Sequence, residues 1–106
     1  MSRTFRIGER ARADVDEIFN WLAPRSAQGA ISWYLAFRRA LDRIGESPES
    51  FPEAAESHRL GRQLRQLLFK TRRGRNYRIV FLVSELEIMI LRVRGPGQAP
   101  LRARDI

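Results

Sequence analysis

Between Arg59 and Arg78 the chain carries eight basic side chains (Arg59, Arg62, Arg65, Lys70, Arg72, Arg73, Arg75 and Arg78) and no acid. Arg92 and Arg94 follow, then Arg102 and Arg104 near the end, and 19 of the 20 basic residues are Arg. A guanidinium fork holds phosphate or carboxylate bidentately, whereas an ammonium acts as a point charge. Such a set, with Tyr77 in its midst, suits RNA binding, stabilisation of a phosphoryl transition state, or recognition of an acidic partner protein. Other chemistry finds little support. There is no cysteine, hence no thiolate nucleophile or thiolate metal site, and the spacing of metal ligands is absent. The one histidine, His58, reads as a solvated loop residue. Gly95-Pro96-Gly97 follows a strand pattern without opening a helix, so it is no phosphate loop. No metal or cofactor is expected.

The positive charge is segregated along the chain. Residues 1–56 hold 8 basic and 9 acidic side chains, residues 57–106 hold 12 and 3, and the formal net charge is +8. A GC-rich genome would favour Arg over Lys but would not separate the signs.

The elements that must position these side chains are legible in the hydrophobic period. Tyr77 to Val83 is β-branched, aromatic and apolar on both parities, as a central strand requires. Leu86 to Val93 resumes the β pattern after Ser84-Glu85 and predicts a hairpin. With a loop of those two residues, Tyr77, Ile79 and Phe81 share a face with Ile88, Ile90 and Arg92, and Arg78, Val80 and Leu82 share the other with Met89 and Leu91. Leu64 to Lys70 is a third strand, joined to the central one by the positive tip Thr71 to Asn76. Its register is open, and a one-residue slip exchanges the faces of Arg65 and Lys70.

Upstream, Ala11, Val15, Ile18, Phe19 and Leu22 fall at helical spacing and predict a helix over residues 9–22, with Asp14 among the acids of its N-terminal half. Pro24 ends it. Ser26 is the N-cap of a second helix to about Gly45, striped by Ala30, Trp33, Tyr34, Phe37, Leu41 and Ile44. Thr4 to Ile7 is an edge strand. Gly45 to Gly61 reads as irregular, anchored by Phe51, with Glu46, Glu49, Glu53 and Glu56 as solvated acids. Residues 95–106 read as a mobile or partner-ordered tail. The expected fold is a single α+β domain over residues 1–106, with an N-terminal strand and a two-helix hairpin packed on one face of a mainly antiparallel sheet of about four strands. No apolar run has signal-peptide or membrane-spanning length, so a cytoplasmic protein without membrane contact is expected.

Element order and residues together resemble the RelE/ParE superfamily of type II toxins, of plasmid-stabilisation type. The resemblance is carried by Ala11-x-x-Asp14-Val15-x-x-Ile18, Pro48 after the second helix, Tyr77-Arg78-Ile79-Val80-Phe81, and Ile88-x-Ile90-Leu91-Arg92-Val93-Arg94, and it covers nearly the whole chain. It implies a cognate acidic antitoxin, operator DNA contacted only through that antitoxin, and poisoning of either DNA gyrase or translation. If the target is messenger RNA on the ribosome, the resemblance assigns catalysis to Arg78, Lys70, Arg65 and Arg92. Members that cut message also use a Tyr or His near the C-terminus, and beyond Val93 this chain has neither. The ParE-like alternative, gyrase poisoning, tolerates such an ending and is the preferred expectation. Arg72, Arg73, Arg75, Arg94, Arg102 and Arg104 are then binding residues. A degenerate, non-toxic basic binding domain is the third reading, and in any of them Arg78 has a structural alternative, holding the sheet to an acid.

Overall fold

The apolar run at residues 77–83 sits inside the sheet, where its composition puts it. The computed structural model describes residues 3–71 and 74–106. In chain order the elements are β1 (Thr4–Ile7), α1 (Glu9–Leu22), α2 (Ala27–Glu46), a 3₁₀ turn (Pro48–Ser50), α3 (Glu56–Leu60), β2 (Arg65–Phe69), β3 (Tyr77–Val83), β4 (Glu87–Arg94) and a second 3₁₀ turn (Ala103–Asp105). The strand order is β1-β4-β3-β2, with β1 parallel to β4 and the other pairs antiparallel. This is the α+β arrangement expected, with β1 at one edge.

Both long helices fall within a residue or so of their sequence limits. Ser26 caps α2, its hydroxyl accepting the Gly29 N–H at 2.9 Å. The apolar stripe of α2, from Trp33 through Phe37 and Leu41 to Ile44, packs with Leu67, Phe69, Ile79, Phe81, Ile88, Ile90 and Val93 of the sheet. α1 adds the fully buried Ala11 and the half-buried Val15, Ile18 and Leu22. Phe51 meets Phe81 edge to face, with centroids 6.1 Å apart, so it anchors its loop as expected.

The stretch before β2 is less irregular than its composition suggests. It contains the 3₁₀ turn and α3, and Gly61 ends α3 in the left-handed conformation at φ +65°. Glu56, expected in solvent, is only 3% exposed.

The β3–β4 hairpin departs from the simple pairing in two ways. Its loop is Ser84 to Leu86, with Val83 opposite Ile88 and Phe81 opposite Ile90. Beyond that pair the register shifts, because Val80 faces Arg92 and Ile79 faces Val93, leaving Leu91 as the extra residue of a bulge. The bulge reverses the parity of everything after it. Val93 therefore enters the helix-side core, and Arg92, expected beside Ile88 and Ile90, lies instead on the face of Val80 and Arg78. The shift occurs where β1 gives out: Gly8 donates to the Ile90 carbonyl at 2.8 Å and the chain turns into α1. A Cβ on Gly8 would stand 2.9 Å from that oxygen, so no side chain fits there without displacement.

The face of the sheet away from α1 and α2 carries a smaller core of Ala54, Leu64, Val80 and Leu101, flanked by Leu60, Leu82, Leu91 and Ile106. The C-terminal segment runs back over this face, with Leu101 fully buried.

Candidate functional site

Arg78 leaves β3 on this second face, across the ladder from Leu68. α3 presents Glu56 from its first turn, and the two meet in a bidentate pair, with Arg78 Nη1 2.7 Å from Glu56 Oε1 and Nη2 on Oε2. Gln66 Oε1 accepts from the same Nη1 at 3.1 Å. Glu56 Oε2 also accepts the Leu101 N–H at 3.0 Å, and Arg59 donates to the Leu101 carbonyl at 2.5 Å. Hydrogen bonding from Arg78, aided by the Leu101 N–H and opposed by burial, lowers the Glu56 pKa to about 2. One ion pair thus fastens sheet, α3 and C-terminal segment together.

A second pair fastens the bulge. Arg92 Nε and Nη2 each donate to the Asp14 carboxylate at 2.8 Å, and Asp14 Oδ2 also takes the Val93 N–H at 2.9 Å. The carboxylate stands where β1, had it continued, would have offered a carbonyl. Asp14, grouped by sequence with the acids of the helix N-terminus, is 8% exposed and is a ladder partner in effect. Its hydrogen bonds raise the Arg92 pKa, and Arg92 Nη1 donates to the Asp105 carbonyl at 2.7 Å.

The remaining candidates are dispersed. β2 pairs Arg65 with Phe81, which puts Arg65 on the helix side, donating to the Phe51 carbonyl at 2.7 Å. Lys70 is exposed just past β2, in a groove with Arg39, Arg43 and Asn76. Arg94 donates to the Ala99 carbonyl at 2.8 Å. Arg75, Arg102 and Arg104 are exposed. Arg72 and Arg73 lie outside the described residues. The four residues named for catalysis are therefore not one constellation: Arg78 and Arg92 share a face, and Arg65 and Lys70 do not join them.

Residues 5–100 match the family described as ParE toxin of type II toxin-antitoxin system, parDE. The chain belongs to the ParE toxin family. No curated protein matches it. As a toxin of a type II system it has an antitoxin partner. No helix among the described residues is long and apolar enough to cross a membrane.

This ParE-family chain also has a cavity of about 600 Å³ that its motifs do not announce. It opens between the last turns of α1, the start of α2 and the adjoining ends of β3 and β4. Ile18, Trp21, Trp33, Tyr77 and Pro96 form apolar walls, with Glu17 and Arg75 among the polar lining. Trp33 is stacked on Phe37 at 5.7 Å and touches Tyr77 at 5.5 Å. Burial raises the Tyr77 pKa. Sequence reasoning singled out Tyr77 among the bases but placed Trp33 only in a core stripe; the missed signal was that both Trp residues of the chain lie on the two helix segments that meet at the turn around Pro24.

Proposed function

We propose that this type II toxin stops growth by ParE-like poisoning of DNA gyrase, acting as a binding protein in the cytoplasm rather than as a ribonuclease. One observation carries the reading. Arg78, the side chain that would steady a phosphoryl transition state, has both terminal nitrogens engaged by Glu56 and one also by Gln66. Freeing it means stranding a carboxylate that is 3% exposed, which opposes catalysis at that place. Arg92 is held the same way by Asp14. No Tyr or His lies between Val93 and Ile106 to supplement them there. Arg75, Arg102 and Arg104, candidate binding residues that are exposed, are suited to meet a large acidic surface.

The antitoxin is acidic on this reading, offsets part of the +8 charge, and carries any contact with operator DNA. The test places one preparation in two assays. Purified toxin should inhibit gyrase supercoiling or trap its cleaved DNA, with weaker effect for Arg102→Ala/Arg104→Ala, and should leave message on programmed ribosomes uncut. Codon-position cleavage with gyrase unaffected would overturn the reading in favour of ribosome-dependent endonuclease action, and inactivity in both would leave the non-toxic binding domain.

A further inference from the structure

We propose that the cavity between α1, α2 and the β3/β4 ends is a binding site for a single unpaired nucleotide, the base inside and the phosphate at the rim. Its volume, about 600 Å³, falls in the range of about 300–1,000 Å³ usual for small-ligand sites, and its walls are mainly apolar. Trp21, which is exposed, and the half-buried Tyr77 offer aromatic surface for a planar ring, and stacking on such surface accepts any base.

The polar groups narrow the ligand. Trp33 is 1% exposed, yet its Nε1–H has no acceptor among the described residues. A buried donor left unmet is costly, so a ring with a hydrogen-bond acceptor on its edge gains by entering. Glu17, also lining the cavity, is a carboxylate with no hydrogen-bond or ion-pair partner among the described residues, suited to a donor such as an exocyclic amine. Arg75 at the rim is exposed and suits an anion. A planar ring bearing both acceptor and donor edges, with an anionic group attached, is a nucleotide. A plain aromatic acid supplies the anion but lacks the donor edge.

This site goes beyond the choice of toxin target, and the assay contains neither gyrase nor ribosome. The chain has two Trp residues and both line the cavity, so intrinsic fluorescence reports occupancy directly. CMP and GMP, and separately a short single-stranded DNA oligomer, are titrated into the full-length toxin. Saturable quenching is expected. Stronger binding by the oligomer identifies a strand as the source, and equal binding identifies the free nucleotide. Trp33→Phe keeps the ring stack but deletes the N–H, and Trp21 then reports; a loss of about five- to tenfold in affinity is expected for one hydrogen bond. Arg75→Ala should weaken binding about tenfold and reduce its salt dependence. Arg39→Ala, in the separate groove beside Lys70, serves as the control and should leave affinity unchanged. Absence of quenching, equal affinity for indole-3-acetate, or an equal loss with Arg39→Ala would each overturn the proposal.

Discussion

Glu56 and Asp14 show how much can rest on a single carboxylate. Each holds a guanidinium bidentately and also takes a backbone N–H, from Leu101 and Val93 respectively. Neither could be buried without these partners, because an isolated charge in the interior drives its own neutralisation. For Glu56 the consequence is a measurable pH dependence. Its folded pKa of about 2 lies below the ordinary 4.5, so the stabilisation, about 3 kcal/mol, is fully present above pH 4.5 and is lost as pH falls toward 2. Glu56→Gln should remove that part of the acid sensitivity. Denaturant melts at a series of pH values would check it: a variant whose stability still falls as steeply as that of the wild type over this window would show that the pair is not the cause.

At the level of elements, the sheet is a partition between two unequal cores. The helix side holds Phe81 and its aromatic neighbours, and the other side holds Val80, Leu64 and Leu101 under the C-terminal segment. Phe81→Ala should cost about 3–5 kcal/mol and Leu101→Ala about 2–5 kcal/mol, since both side chains are fully buried. The two changes should also add, because they act on opposite faces of the sheet. Thermal unfolding of the single and double variants would measure this. A Leu101→Ala protein as stable as the parent would mean that the C-terminal segment contributes nothing to the second core.

For the molecule as a whole, the sign of the charge governs encounter. A net charge of +8, concentrated in the second half of the sequence, would draw in the acidic antitoxin proposed above before any contact forms. Association should therefore slow as salt rises, because the Debye length shrinks from about 10 Å at 0.1 M to about 3 Å at 1 M. Stopped-flow mixing with the cognate antitoxin would show the slope, and an on-rate indifferent to salt would remove electrostatics from the encounter. The same field would favour nucleic acid at the basic half of the chain.

What the sequence by itself determined depends on neighbours in the chain, although the short helix α3 escaped it. The periods of α1, α2 and the last three strands, the Ser26 cap, the segregation of charge and the element order that marks the ParE family all rest on short-range pattern. Tertiary structure alone decided which charged groups are free. Arg78 meets an acid 22 residues away and Arg92 one 78 residues away, separations at which no periodicity links the partners. The orientation of Arg92 was decided by one extra residue, Leu91, since alternation has period two and a single bulge reverses every side chain beyond it. The cavity has the same origin: Trp21, Trp33 and Tyr77 belong to three elements whose local patterns mark them only as helix and strand, and they line a common space because the turn around Pro24 folds the helices back over the sheet.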